Sequence, residues 1–534
     1  MHASTSRRAV SAFACAALTA LALPAAGARA DGAASRVGTG PVVAVQGGAA
    51  RGVAVDGGFA FRGLPYAAPP TGDLRWRPPD PPASWSGVRD ATRYAPSCPQ
   101  KPNLFQPPGP QSEDCLYLNV STPTLRGYGD RPVLVWLHGG GFTEDGALNY
   151  DGTKLAANGI VVVTINYRLG VLGFLAHPAL ASRPGGPAGN YGLMDQQAAL
   201  RWVESNIAGF GGDPHNVTIA GQSAGGVSVL AQLVSPDARG LFQRAIVQSG
   251  AFALNQVPLA DAEAFGQTFA DQVSCQDQTA QCLRHMPVDT LVNTFPDAAI
   301  PGVIDGKVLK QSIGAALAAG NFARVPILNG MNDNEELIFV AGLQLAVSGG
   351  MVVPAPTPTD EATYESVIAS VLGVSATRAS AVAAEYPLNA YPAKVLALST
   401  LVSDANFACP ALQVDRWTSG RVPTFAYQFN DGSAPSIFAG PNFFLIATHS
   451  SEIQYLLDQP NAPFAAPLNA EQETLAGSMR EAWASFARIG RPGTGAVPWP
   501  SFNTSSAVLS IDSPRPQLDP QFATTHHCAF WAAG

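Results

Sequence analysis

The sequence is short of charge. Only 13% of its 534 residues are charged, with 39 acids against 31 lysines and arginines. Beyond the N-terminus the basic residues form no block, so the chain lacks the electrostatic footprint of a nucleic-acid or anionic-membrane partner. No internal apolar run reaches the roughly 18 residues that a membrane-spanning helix needs. Because 46% of the residues are apolar, these absences predict a soluble globular protein with a large core and no stable membrane association.

Cysteines at metal-ligand spacing are also lacking. The 7 cysteines include no C-x-x-C pair, and the sequence His526-His527-Cys528 has no second ligand pair, so no metal site is predicted. Cys15 lies in the N-terminal segment, which leaves six cysteines for an oxidising compartment to pair. The spacing leaves many pairings open. Close neighbours could form small loops, and one pair would tie the C-terminal tail to the body: Cys98 with Cys115, Cys275 with Cys282, and Cys409 with Cys528.

The N-terminal segment has the features of a secretory signal peptide. Arg7-Arg8 precede an apolar, alanine-rich stretch, and Ala28-Arg29-Ala30 forms an A-x-A cleavage site. A retained membrane anchor is the alternative, but the apolar stretch is short for one. We therefore expect cleavage of residues 1–30, a mature chain that begins at Asp31, and a secreted or periplasmic location. Cleavage removes three arginines and no acid, which lowers the formal net charge from −8 to −11.

Continuous apolar runs alternate with helical periodicity. Runs at 132–137, 160–165, 217–220, 245–247 and 325–328 are typical of strands buried on both faces, and Leu193, Leu200 and Val203 fall at helical spacing between two of them. This order predicts one α/β domain over 31–534, with a mostly parallel central sheet covered by helices on both faces. Residues 41–80 predict a small antiparallel sheet, and 251–320 and 340–440 predict helical insertions.

A serine stands between glycines directly after the apolar run 217–220. The sequence Gly221-Gln222-Ser223-Ala224-Gly225 matches the G-x-S-x-G pattern, in which a tight strand-to-helix turn exposes the serine hydroxyl. A serine in a glycine-rich turn can also be a plain helix N-cap. The strand before it and the apolar helical spacing after it favour a nucleophile at Ser223.

A glycine triplet follows the apolar run 132–137. His138-Gly139-Gly140-Gly141 matches the loop that supplies backbone N–H groups to an oxyanion in this type of fold. We expect the N–H groups of Gly140, Gly141 and Ala224 to form an oxyanion hole. An ordinary glycine-rich connector is the alternative.

Serine chemistry also needs a histidine and an acid. In this type of fold they follow the serine in the order acid, then histidine. Among the later histidines, His449 is favoured because His285 lies in an insertion and His526 and His527 adjoin a cysteine at the chain end. For the acid, spacing alone leaves three candidates beyond the run 325–328: Asp333, Glu335 and Glu336.

The motifs together resemble the type-B carboxylesterase and cholinesterase family of α/β-hydrolases. The resemblance runs through EDCLYLN at 113–119, the glycine triplet, NYRLG at 166–170, GLMDQ at 192–196, FGGDP at 210–214 and the serine motif. It implies the α/β-hydrolase fold and cofactor-free hydrolysis of carboxylic esters through an acyl-enzyme. It further implies Glu335 as the acid and His449 as the base, the three disulfide pairings above, and structural ion pairs of Arg75 with Glu113 and Arg168 with Asp195.

Two departures from the family pattern bear on the substrate. Members that cleave choline esters carry glutamate before the serine and a tryptophan in the first disulfide loop, where this chain has Gln222 and only Phe105. Loss of that charge and that cation–π face disfavours quaternary ammonium substrates and favours esters of neutral alcohols. A secreted lipase and a catalytically inactive binding protein of the same family are the alternatives. The acyl chain and the oligomeric state stay open, with candidate lining residues Phe142, Phe252, Phe339, Phe443 and Phe444.

Overall fold

The computed structural model describes residues 40–533, apart from 103–108, 126–128, 182–187, 297–301, 341–359, 436–445, 463–465 and 494–497. The expected signal peptide, Phe105, Phe443 and Phe444 lie outside the described residues. The strands are Val42–Val45 (β1), Gly48–Arg51 (β2), Val53–Val55 (β3), Gly58–Pro65 (β4), Val88–Asp90 (β5), Tyr117–Thr122 (β6), Arg131–Leu137 (β7), Val161–Ile165 (β8), Gly212–Gln222 (β9), Arg244–Gln248 (β10), Val257–Pro258 (β11), Val303–Ile304 (β12), Ile327–Asn332 (β13), Thr424–Phe429 (β14), Val508–Ile511 (β15) and Gln517–Asp519 (β16).

The helices lie between and after these strands. They are Thr153–Ala156 (α1), Gly170–Phe174 (α2), Tyr191–Asn206 (α3), Ala224–Val234 (α4), Leu259–Gln272 (α5), Ala280–His285 (α6), Val288–Thr294 (α7), Ile313–Ala319 (α8), Leu337–Val340 (α9), Glu361–Leu372 (α10), Ala376–Glu385 (α11), Lys394–Ser403 (α12), Cys409–Ser419 (α13), Ile453–Leu456 (α14), Ala470–Ile489 (α15), Phe502–Ser505 (α16), Phe522–Thr525 (α17) and Cys528–Ala532 (α18). A π-helical turn, Asp404–Ala408, joins α12 to α13.

Most strands belong to one large sheet. Its order is β16-β15-β14-β13-β10-β9-β7-β8-β6-β4-β3. The strands from β15 to β8 are parallel, whereas β16 at one edge and β6, β4 and β3 at the other are antiparallel. This is the predicted α/β-hydrolase arrangement.

Both faces of the central strands are buried, as their continuous apolar sequences require. In β7, Val133 and Val135 belong to a core that includes residues of α3 and α4. Leu134 and Trp136 point to the other face and join a core with residues of α15. Successive side chains of a strand alternate between faces, so one apolar run supplies two cores.

Two predictions of organisation need correction. The range 340–440 is not wholly a helical insertion, because β14 lies within it, fully buried, and pairs with β13 and β15. Its sequence TFAYQF mixes polar and aromatic residues and therefore lacks the aliphatic run on which the prediction relied. The small sheet near the N-terminus consists of β1, β2 and β5 and is not wholly antiparallel, because β2 pairs in parallel with β5, which lies beyond residue 80. The strand β4 instead pairs with β6, which buries Phe61 and Leu64 at the edge of the large sheet.

One helical segment among the described residues, 394–419, is long and apolar enough to cross a membrane by length and composition. Two-thirds of its most apolar window is buried inside the protein. It also carries the buried carboxyl groups of Asp404 and Asp415. These features are those of a core helix.

Candidate active site

The turn at Ser223 lies between β9 and α4. Ser223 has φ 57° and ψ −125°, a conformation that non-glycine residues rarely adopt and that costs on the order of 1–3 kcal/mol. Its N–H donates to the carbonyl oxygen of Gln248 on β10 (2.9 Å), and its carbonyl oxygen accepts from the N–H of Val227 (2.9 Å). A Cβ atom at Gly225 would lie 2.0 Å from the carbonyl oxygen of Leu137. The strained turn is therefore held by close backbone packing that only glycine allows.

The glycine triplet lies against this turn. Gly140 and Gly141 have φ of 85° and 60°. A Cβ atom at Gly139 would lie 3.2 Å from the Cβ of Ser223. Among the residues that the structure describes, no hydrogen bond uses the backbone N–H of Gly140, Gly141 or Ala224. Unpaired donors next to a serine hydroxyl are what an oxyanion hole requires.

His449 and Glu335 form a buried pair on two neighbouring loops. Nδ1 of His449 is 2.5 Å from Oε2 of Glu335, and the two residues are 5% and 0% exposed. Glu335 follows the end of β13. The loops are aligned by a bridge between Asn334 and Thr448, in which the Asn334 N–H donates to the carbonyl oxygen of Ala447 (2.9 Å). The structure thus joins the favoured histidine to one of the three candidate acids.

The charges around His449 favour its protonated form. Burial alone lowers the pKa of an imidazole, but the carboxylates of Glu335, Glu452 and Glu336 outweigh it. The pKa of His449 therefore lies above its usual value. A carboxylate at Nδ1 also fixes the tautomer that leaves Nε2 free to accept a proton.

Sequence reasoning missed the residues that hold Glu335. Its Oε1 accepts from the Ser249 hydroxyl (2.6 Å) and from the Asn332 N–H (2.7 Å). The Asn332 amide donates to Oε2 of Glu452 (2.8 Å), a second buried carboxylate. Burial, together with the charge of Glu335, raises the pKa of Glu452. Ser249 directly follows β10. Its position after a buried apolar run was the one feature of the sequence that indicated a residue near the site.

Aromatic rings and one amide complete the surroundings of His449. Nε2 of Gln222 lies 3.2 Å from Nε2 of His449. The rings of Phe339 and Phe407 lie 5.3 and 5.6 Å from the imidazole, and Phe252 packs on Phe407 (5.2 Å). Of the candidate lining residues, Phe339 and Phe252 are therefore in or next to this cluster. Phe142 instead packs on Phe174 in the core, and Phe407 was not anticipated.

The other candidate acids and histidines have different partners. Asp333 accepts from Gln428, and Glu336 accepts from Asn406. The remaining histidines bond elsewhere: His285 to the carbonyl oxygen of Gln281 (2.8 Å), His526 to Asp404 (2.5 Å) and His527 to Glu385 (2.6 Å).

The structure contains the three disulfides that the resemblance implied, Cys98–Cys115, Cys275–Cys282 and Cys409–Cys528. It also contains both ion pairs. Arg75 binds Glu113 through two hydrogen bonds of 2.7 Å, and Arg168 binds Asp195 in the same way. Arg75, Arg168 and Asp195 are buried, which agrees with a structural role.

Comparison with known proteins identifies the family. The model of the carboxylesterase family matches residues 39–531. Fumonisin B1 esterase of Sphingopyxis macrogoltabida is 36% identical over 88% of this chain and 86% of its own. Cocaine esterase of Oryctolagus cuniculus is also 36% identical, over 85% of this chain and 88% of its own. Para-nitrobenzyl esterase of Bacillus subtilis is 33% identical over 88% and 95%.

A solved structure of PNB esterase superimposes with a TM-score of 0.75 at 31% sequence identity, covering 92% of this chain and 99% of that one. The family that the sequence motifs resemble and the fold predicted from the sequence are both confirmed. The chain therefore belongs to the carboxylesterase family and is a carboxylic ester hydrolase.

Proposed function

We propose that this protein is a secreted serine carboxylesterase that cleaves esters of neutral alcohols through Ser223, His449 and Glu335. The observation that carries the proposal is the buried His449–Glu335 pair, 2.5 Å between Nδ1 and Oε2, next to a strained serine turn and a loop with unpaired N–H groups. A nucleophile, an oriented base and oxyanion donors are the parts that acyl transfer needs.

In the first half of the reaction, Ser223 Oγ attacks the ester carbonyl carbon while Nε2 of His449 takes its proton. The carbonyl oxygen becomes an oxyanion, which accepts hydrogen bonds from the N–H groups of Gly140, Gly141 and Ala224. The α4 N-terminus adds a favourable partial charge. The imidazolium then gives its proton to the leaving alcohol oxygen, and an acyl-enzyme remains on Ser223.

In the second half, His449 takes a proton from water, and the resulting hydroxide attacks the acyl carbon. Collapse of the second tetrahedral intermediate releases the acid and returns the proton to Ser223. Glu335 stays ionised throughout: it keeps the Nδ1 proton of His449 in place and stabilises the imidazolium. Ser249 and Asn332 fix Glu335 by donating to its other oxygen. No step requires a cofactor.

The substrate class follows from what surrounds the base. Gln222 is neutral, and Phe339, Phe407 and Phe252 present apolar rings near His449. The neutral amide of Gln222 supplies no charge to attract a cationic alcohol group, and the apolar rings can bury the uncharged parts of an ester, so we expect an uncharged ester as substrate. The relatives are named for substrates as different as fumonisin B1, cocaine and para-nitrobenzyl esters, so we transfer no single substrate.

The test is hydrolysis of p-nitrophenyl esters from acetate to palmitate by the mature protein and by Ser223→Ala. We expect Ser223-dependent turnover that is highest with short acyl chains dissolved below their solubility limit. A maximum with long chains that rises sharply above solubility would instead assign the protein as a lipase. Turnover no greater than that of Ser223→Ala with every ester would refute the enzyme mechanism and favour the binding protein.

Export belongs to the same proposal. The disulfides are consistent with an extracellular location, and the N-terminal sequence fits a cleavable signal. Mass spectrometry of the protein from culture medium or periplasm should find Asp31 at its N-terminus. An intact N-terminus at Met1 on the exported protein would contradict cleavage.

A further inference from the structure

Gln222, the last residue of β9, contacts the imidazole of His449 on the side opposite Glu335. Nε2 of Gln222 is 3.2 Å from Nε2 of His449, and Gln222 is only 2% exposed. On its other side, a Cβ atom at Gly139 would lie 3.2 Å from Oε1 of Gln222. The amide is therefore held between the glycine loop and the imidazole. The mechanism proposed above gives this side chain no task.

The hydrogen bond between the two side chains has a defined direction. Nδ1 of His449 faces the carboxylate of Glu335, so the ring proton of the neutral imidazole lies on Nδ1. Nε2 is then an acceptor, and the NH₂ group of Gln222 is the donor. When Nε2 becomes protonated, that NH₂ group faces another N–H, and the hydrogen bond is lost. In the observed orientation the contact therefore favours the neutral ring, because a protonated ring would require the amide to turn its Oε1 towards Nε2.

The carboxylates near His449 among the described residues favour the protonated ring instead. Glu335 bonds to it directly, and Glu336 and Glu452 also raise its pKa. The imidazole also packs against the uncharged rings of Phe339 and Phe407. A base that is protonated at working pH cannot take the serine proton, so a device that favours the neutral ring assists the reaction.

We infer that Gln222 is a positioning residue for His449, whose amide holds the imidazole in its neutral, accepting form until Ser223 delivers its proton. This inference rests on the proposed function. During the attack the Ser223 Oγ–H replaces the amide at Nε2, and the proton passes to Nε2 and then to the leaving oxygen. A glutamate at position 222 would accept a hydrogen bond from the protonated ring and would hold it as the cation.

The experiment is the pH profile of kcat/KM with p-nitrophenyl acetate for the whole mature protein, Gln222→Glu and Gln222→Met. We expect Gln222→Glu to move the acid limb upward by about one pH unit, so that activity on that limb falls about tenfold at fixed pH. Gln222→Met keeps the volume but removes the donor. It should move the limb in the same direction by a smaller amount, and it serves if the glutamate variant does not fold.

The matched control is Gln243→Glu, which adds the same charge at the far end of the neighbouring strand. There Oε1 of Gln243 accepts from the N–H of Val217 (2.8 Å), a task that a carboxylate also performs. Its acid limb should coincide with that of the unmodified protein. Acid limbs that do not move in either Gln222 variant, or that move equally in the control, would overturn this inference alone. Absence of Ser223-dependent turnover in the unmodified protein would overturn the proposed function as well.

Discussion

Replacement of Glu335 by glutamine tests how much the buried carboxylate contributes to the reaction. The carboxylate lies 2.5 Å from Nδ1 of His449 and is fully buried. At an effective dielectric constant of about 20, two unit charges at that separation attract each other by roughly 6–7 kcal/mol. This attraction arises only when His449 becomes an imidazolium, and each 1.4 kcal/mol of it corresponds to about tenfold in rate. Glutamine also places an NH₂ group or a weaker acceptor at Nδ1, which permits the wrong tautomer.

We therefore expect Glu335→Gln to lower kcat with p-nitrophenyl acetate by about 10⁴-fold, the scale known for loss of the triad acid. KM should change little, because the ground state gains nothing from the charge pair. The control is Glu336→Gln, since Glu336 is the next residue but bonds to Asn406. Its kcat should stay within about threefold of the unmodified protein. Retention of more than about a tenth of the activity by Glu335→Gln, or equal losses in the two variants, would exclude Glu335 as the acid that stabilises the imidazolium.

Three further predictions concern other parts of the molecule. Burial raises the pKa of Asp415 to about 8, well above its value in the unfolded chain. The folded protein therefore binds the proton more tightly than the unfolded chain does, and the free energy of unfolding falls as the pH rises from about 4 to about 8. Asp415→Asn should remove this pH dependence and raise the free energy of unfolding near neutral pH by up to about 4 kcal/mol. Urea unfolding across pH measures both effects, and the same pH dependence in both proteins would contradict this prediction. Replacement of Cys409 and Cys528 by serine opens a cross-link between residues 119 apart; it should cost about 3–5 kcal/mol of stability, and an unchanged Tm would contradict a role in stability. Phe407→Ala removes a ring that lies 5.6 Å from that of His449. It should raise kcat/KM for bulky p-nitrophenyl esters relative to the acetate by about tenfold. An unchanged ratio would show that Phe407 does not line the substrate pocket.

The central sheet could be predicted because most of its parallel strands have continuous aliphatic sequences. The runs at 132–137, 160–165, 217–220 and 245–247 correspond to β7, β8, β9 and β10. The strand β14 could not be predicted in this way, because Thr424, Tyr427 and Gln428 interrupt its apolar sequence. These side chains are buried only because distant parts of the chain pack against them or form hydrogen bonds with them. Tyr427, for example, packs on Trp483 of α15 at 5.3 Å between ring centroids.

The site was predictable where a motif fixes the backbone. The glycines around Ser223 and in the loop after β7 are required by close backbone contacts, so they are recognisable as a motif in the sequence. The choice among the carboxylates near 333–336 was not, because it depends on how two loops from distant parts of the chain align. The bond from Asn334 to Ala447 sets that alignment, and no local pattern encodes it.

The partners of His526 and His527 show the same limit. Each of these histidines has its own carboxylate, Asp404 or Glu385, so a histidine–acid pair is not by itself diagnostic of a catalytic site. His449 differs from them in its contact with Gln222, the residue that precedes Ser223.

Whether Ser223 is the nucleophile can be measured directly by peptide mapping of the mature protein after reaction with a p-nitrophenyl alkylphosphonate, which reacts with an activated serine and stays attached. We expect one adduct per chain, on Ser223, with release of one p-nitrophenolate and complete loss of esterase activity. Ser223→Ala should form no adduct. An adduct on a different residue, or full loss of esterase activity without modification of Ser223, would contradict the role of Ser223 as the nucleophile.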